Sequence, residues 1–186
     1  MTKLLLSELL TEEQCNDRVT EADLRSVGHF SSVARRCERL SWRVLLYDFL
    51  GERVEIAYED GAPIVVGRDI HIGVSHTKDM VAVVVSDNPC AVDIERSDRD
   101  VQRISDRFFT ERERQLATDN LAQLAVWCAR ECYYKLKRDR KIDILSDIRV
   151  TALDIEQCRV VVEDCRGGSS EMKIKKMAEH IVVYVG

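Results

Sequence analysis

Several short stretches of this chain carry side chains that could do chemistry. In Cys90-Ala-Val-Asp-Ile-Glu95 acidic and apolar residues alternate. On a strand, residues i and i+2 share a face, so Asp93 and Glu95 converge while Val92 and Ile94 turn to a core. Two hard oxygen donors at one strand end suit Mg²⁺, which binds through one or two carboxylates and keeps room for phosphate oxygens. Taken alone, the run reads more simply as an ordinary strand with an acidic face. In Trp127-Cys-Ala-Arg130-Glu131-Cys-Tyr-Tyr-Lys135 a helix places Trp127, Glu131 and Lys135 on one stripe, with Arg130 beside them. A carboxylate next to cations there could complete a metal site or act as a base; a plain surface ion pair is the alternative.

Gly73-Val-Ser75-His76-Thr77 closes a strand before a Lys78-Asp79 turn and offers hydroxyl and imidazole donors to a phosphate. Ser75 and His76 are adjacent on a strand, point to opposite faces, and so make a poor nucleophile–base pair. Arg36, Arg39 and Arg43 follow helical spacing and would form a basic ridge able to fork onto phosphate. From Lys135 to Lys141 the chain reads KLKRDRK, five cations against one acid, a local reversal suited to an acidic partner or a polyphosphate. Cys128 and Cys132 stand one helical turn apart and are read as packing groups rather than redox thiols. The seven cysteines are scattered, show no Cys-x-x-Cys spacing, and imply reduced thiols.

The elements that must position these residues follow from hydrophobic period. Arg35–Leu50 is helical, with Gly51 as its stop. Short β-branched runs follow: VEIAY, IVV, HIGVSH, MVAVVVS and CAVDIE, separated by turn signals at Asp60-Gly61, Gly67, Lys78-Asp79 and Asp87-Asn88-Pro89. Helical patterning returns from about Val101. Thr110-x-x-Glu113 is a capping box for a helix near Glu111, and a longer helix spans roughly Leu121–Arg138. DIRVTALDIE, CRVVVEDC, EMKIKK and EHIVVYVG close the chain as strands. The leucines at 4, 5, 6, 9 and 10 read as a short amphipathic or buried segment. The expected class is α+β: two similar halves, each of helices packed on a small antiparallel sheet, in a pseudo-twofold arrangement. The N-terminal half would span residues 1–89 and the C-terminal half 90–186, with the active site at their junction.

Composition sets limits. The chain has 186 residues, 45% of them hydrophobic, which supplies a core and excludes intrinsic disorder. With 28 basic and 33 acidic side chains the net charge is −5, so no global field draws nucleic acid. The apolar run Met80–Val85, six residues with none longer in the chain, is far short of a membrane span. Glu8, Glu12 and Glu13 interrupt any signal-peptide pattern, so a cytoplasmic location is expected.

In order and identity these motifs resemble the 4′-phosphopantetheinyl transferases, in particular their surfactin-type, pseudo-dimeric branch. The resemblance covers roughly Arg35 to Lys135. It rests on Gly61-x-Pro63, Ser75-His76-Thr77, Val92-Asp93-Ile94-Glu95, Arg107-Phe108-Phe109-Thr110-x-x-Glu113 and Trp127-x-x-Arg130-Glu131-x-x-x-Lys135. It implies transfer of the phosphopantetheine arm of coenzyme A to a serine of an apo acyl or peptidyl carrier protein, releasing 3′,5′-ADP. Such carriers serve fatty-acid, polyketide or nonribosomal-peptide synthesis. By the same resemblance Asp93, Glu95 and Glu131 would hold Mg²⁺, Glu131 would be the base for the carrier serine, and Lys135 would offset phosphoryl charge. Ser75 and His76, with Arg36 or Arg43, would contact the nucleotide phosphates, and Pro63 the adenine. A monomer is implied, since both halves lie in one chain. A degenerate protein that binds coenzyme A or carriers without catalysis is the alternative. Ala91, Arg130 and Ala62 depart from the glycine and two lysines usual at those places.

Overall fold

The computed structural model describes residues 1–186. In chain order the elements are β1 (Thr2–Glu8), α1 (Glu12–Asn16), α2 (Glu21–Val27), α3 (Val33–Leu50), β2 (Ile56–Glu59), β3 (Ala62–Val65), β4 (His71–His76) and β5 (Met80–Ser86). Then come β6 (Ala91–Arg96), α4 (Gln102–Phe108), α5 (Glu111–Leu116), α6 (Asn120–Lys137), β7 (Ile148–Asp154), β8 (Arg159–Asp164), β9 (Ser169–Lys176) and β10 (His180–Val185). One strand, three helices and four strands therefore occur twice. The sheets repeat as well: β1-β5-β4 in the first series matches β6-β10-β9 in the second, all antiparallel. The fold is α+β, as the element pattern implied.

The repeat extends to single residues. Helices α3 and α6 are both 18 residues long, capped by the side chains of Ser32 and Asp119, and closed at left-handed residues, Gly51 and Arg138. The eleventh residue of each is a buried arginine, Arg43 or Arg130, paired with a buried acid, Asp23 or Glu113. Each acid is the third residue of a short helix whose N-cap is a threonine, Thr20 or Thr110, in a reciprocal capping box. The two halves thus use the same device to fasten a two-turn helix to a long one.

Two helical segments and one strand differ from the sequence expectation. The N-terminal leucines form β1, which pairs with β5 from Thr2–Ser86 to Glu8–Met80. Leu5 packs on the first-half core, while Leu4 and Leu6 pack on a cluster between the sheets, so both faces are covered and no alternation is visible. Helices α1 and α2 have five and seven residues, too few to show a helical period.

Each half has its own core. Leu40, Trp42, Leu46, Ile72 and Val83 anchor the first, and Leu124, Cys128, Tyr133, Val160 and Ile181 the second. Between them Ala82, Val84, Cys90, Val92, Ile94 and Val182 form a third cluster. Cys128 and Cys132 are fully buried on α6, and burial pushes both thiols well above their ordinary value, which suits packing and not redox chemistry. No helix is long and apolar enough to cross a membrane.

Candidate active site

A cleft of about 590 Å³ opens where α3, the β2–β3 hairpin and β4 face β6 and the C-terminal end of α6. One wall carries Arg39, Trp42, Tyr58, Pro63, Ser75 and His76; the other carries Asp93, Glu95, Arg99, Trp127, Glu131, Lys135, Arg138 and Arg140. The seam beneath is tight. A Cβ on Gly73 would stand 2.8 Å from Ala91 Cα and 2.9 Å from Val84 Cγ1, so glycine is what lets β4 lie against β6.

At the floor, Lys135 Nζ donates to Asp93 Oδ1 at 2.6 Å, to Ser75 Oγ at 3.1 Å and to the Val92 carbonyl at 3.2 Å. Ser75 Oγ donates in turn to Asp93 Oδ1 at 3.0 Å. One strand from each half and one helix therefore meet at a single carboxylate. Burial disfavours the charge on Lys135, but Asp93 and Glu131 outweigh it and hold its pKa above that of a free lysine. Glu131 moves the same way for the opposite reason: burial and the nearby Asp93 carboxylate raise its pKa, against the pull of Lys135 and Arg99. A half-buried carboxylate raised in this way is a stronger base than one in water.

Glu95, two residues beyond Asp93, pairs with Arg99, whose guanidinium lies 5.9 Å from the Trp127 ring centroid. No three acidic, imidazole or thiol side chains are gathered into a metal cage. The donor set nevertheless suits a hard divalent cation. Asp93 Oδ2 is buried and has no hydrogen-bond partner, and Glu95 and Glu131 line the same cleft.

On the opposite wall His76 Nδ1 is 3.8 Å from Glu38 Oε2. Burial lowers the His76 pKa and Glu38 raises it, while Arg39 and Lys135 add to the lowering; the net direction is down. Pro63 stands opposite Tyr58 in the β2–β3 register, so both present one surface to the cleft.

The basic ridge expected on α3 divides three ways. Arg36 reaches back to α1, donating to Glu12 Oε1 at 2.5 Å and to the Phe30 carbonyl at 2.5 Å. Arg43 is buried, donating to Asp23 at 2.8 Å, to the Arg39 carbonyl at 2.6 Å and to Tyr58 Oη at 3.1 Å. Neither lines the cleft, and the residue that does is Arg39. This corrects the expectation for Arg36 and Arg43: residues at i, i+3 and i+7 share a broad face, but α1 and α2 cover most of it and supply the acids that claim these two arginines. Arg43 still serves the site from behind, as the support of Tyr58.

Arg130 also departs from its expected position beside the Glu131 stripe. It is fully buried, bound to Glu113 through Nε at 3.0 Å and Nη2 at 2.5 Å and to the carbonyls of Phe108, Ile144 and Leu145. Glu113 Oε1 also accepts the Val150 N–H at 2.8 Å, so Thr110-x-x-Glu113 and Arg130 form one joint between α5, α6 and β7. Arg99 and Tyr58 are cleft residues that the sequence reading did not single out. Arg99 stands four residues after Glu95, a spacing that marks a partner only on a helix; here a turn after the strand brings the two together.

Residues 89–180 match the family model of the 4′-phosphopantetheinyl transferase superfamily. The matched stretch contains Asp93, Glu95, Glu113, Arg130, Glu131 and Lys135. No curated protein matches the chain.

Proposed function

With its C-terminal half matching the 4′-phosphopantetheinyl transferase superfamily, we propose that this protein transfers the 4′-phosphopantetheine arm of coenzyme A to a serine of an apo acyl or peptidyl carrier protein. The observation that carries the reading is the meeting of Glu131, Lys135 and Asp93 at the floor of a cleft whose far wall offers Arg39, His76 and Pro63. Phosphoryl transfer needs positioning and compensation of charge more than covalent help, and this cleft has the groups for both.

In this reading the nucleotide lies against the first-half wall. Pro63 and Tyr58 give the adenine an apolar face, and His76 and Arg39 meet the 3′-phosphate. Asp93, Glu95 and Glu131 are the residues that would hold Mg²⁺, which when bound offsets the charge of the pyrophosphate. Glu131 takes the proton of the carrier serine as its oxygen attacks the phosphorus that bears pantetheine. The bond from that phosphorus to the bridging oxygen breaks, and 3′,5′-ADP leaves with the electron pair. Lys135 faces the charge that develops on the transferring group. Arg138 and Arg140, at the rim beyond α6, suit the acidic surface of a carrier protein.

The test is intact-mass spectrometry of a panel of apo carrier proteins after incubation with this protein, coenzyme A and Mg²⁺. One added phosphopantetheine, lost with Glu131→Gln and with EDTA, is the expected result. No addition on any carrier, with coenzyme A still bound, would instead favour binding without transfer.

A further inference from the structure

Two carboxylates of the cleft are already answered by cations of the chain itself. Asp93 is held by Lys135 and Glu95 by Arg99. The second of these pairs is built and not incidental. Arg99 lies in the segment between β6 and α4, which Asn120 at the start of α6 pins by donating to the carbonyls of Ser97 at 3.0 Å and Arg99 at 3.3 Å. Its guanidinium is backed by the Trp127 ring, while the Glu95 side chain it meets is only 17% exposed. Nearby, Asp93 Oδ2 is buried and without a partner.

We propose that Arg99 is a resident counter-ion for the metal-free cleft: it neutralises Glu95 until a divalent cation draws that carboxylate away. This rests on the metal reading given above. A half-buried carboxylate beside two others repels them unless a cation stands among them. Arg99 supplies that charge and can move aside without leaving the cleft, because its backbone is fixed and the Trp127 face accepts its guanidinium. Metal affinity is then a competition between the divalent cation and a side chain, so residue 99 sets it.

The experiment is Mn²⁺ titration followed by electron paramagnetic resonance, without coenzyme A, on the wild-type protein, Arg99→Gln, Arg99→Lys and Asp93→Asn. Arg99→Gln is expected to bind Mn²⁺ roughly fivefold more tightly, the weight of one partly exposed ion pair, and Arg99→Lys to stay close to wild type. In EDTA, Arg99→Gln should melt below wild type and gain more in Tm on adding Mg²⁺. Unchanged or weaker Mn²⁺ binding by Arg99→Gln would overturn the proposal. If Asp93→Asn then still abolished wild-type Mn²⁺ binding, the metal reading would survive alone. If neither wild type nor Arg99→Gln bound Mn²⁺, both would fall.

Discussion

Gly73 on β4 and Ala91 on β6 meet backbone against backbone, with room at residue 73 for a hydrogen and nothing larger: a Cβ there would stand 2.8 Å from Ala91 Cα. The family that the motifs resemble is expected to carry glycine at position 91. In this chain the Ala91 methyl group packs in the second-half core, and the glycine needed for the close approach is on the opposite strand.

Gly73→Ala should therefore destabilise the protein by about 1–3 kcal/mol through overpacking. It should also part Ser75 from Asp93 and so weaken coenzyme A binding. Ala91→Gly should cost less than about 1 kcal/mol. Urea denaturation of the two variants checks the ranking, and a reversed ranking would refute the account of the seam.

Arg43→Ala and Arg130→Ala should each cost about 3–5 kcal/mol, because each leaves a buried carboxylate without its cation. Their secondary effects should differ. Losing Arg43 also frees Tyr58 and should raise KM for coenzyme A in the fraction that remains folded. Losing Arg130 should lower the yield of folded protein with KM unchanged. Thermal melts and steady-state kinetics at a permissive temperature separate the two.

Glu131 has a raised pKa in the folded protein, so folding favours its protonated form. Its contribution to stability is fully present below the ordinary carboxylate pKa and is lost as pH rises through the raised value. Glu131→Gln should therefore be more stable than wild type at neutral pH and lose that advantage in acid, while transferase activity disappears. Denaturation midpoints at pH 4 and pH 7.5 would test the sign.

His76 is biased toward its neutral form in the free protein. A phosphate bound against it reverses that bias, so coenzyme A binding near neutral pH should take up a proton. Calorimetry in buffers of different ionisation enthalpy measures the uptake. It should vanish with His76→Ala and be smaller for dephospho-coenzyme A, which lacks the 3′-phosphate.

Across the seam Asp79 accepts from Thr77 at 2.7 Å, from Arg96, and from the buried His180 at 3.1 Å. Burial opposes its charge, but these donors bring its pKa down to about 2. Stability from this group is present above the ordinary aspartate pKa and is lost as pH falls through about 2. Asp79→Asn should flatten the acid limb of the stability curve between about pH 4 and pH 2 and lower Tm at pH 7.

The parts of this arrangement that were legible in the sequence are those encoded by local period. Alternation put Asp93 and Glu95 on one strand face, the four-residue step put Glu131 and Lys135 on one helical stripe, and Thr110-x-x-Glu113 marked a helix start where α5 begins. What stayed hidden depends on distant partners. The spacing of Arg36 and Arg43 suggests phosphate ligands because their acids, Glu12 and Asp23, sit on helices too short to announce themselves. Sequence alone sets Arg130 beside the site because a stripe of 3.6-residue period cannot say which acid lies across the groove. β1 was obscured by being covered on both faces.

The cleft draws one wall from each of two repeated units, yet only one long helix carries its reactive groups. The positions of α3 that match Glu131 and Lys135 are Val44, buried in the first core, and Asp48, paired with Arg18. Covalent linkage fixes the first half beside the second at an effective concentration on the order of millimolar. Dilution cannot separate the walls, as it would if the units were separate chains, so the integrity of the cleft does not vary with the amount of protein in solution.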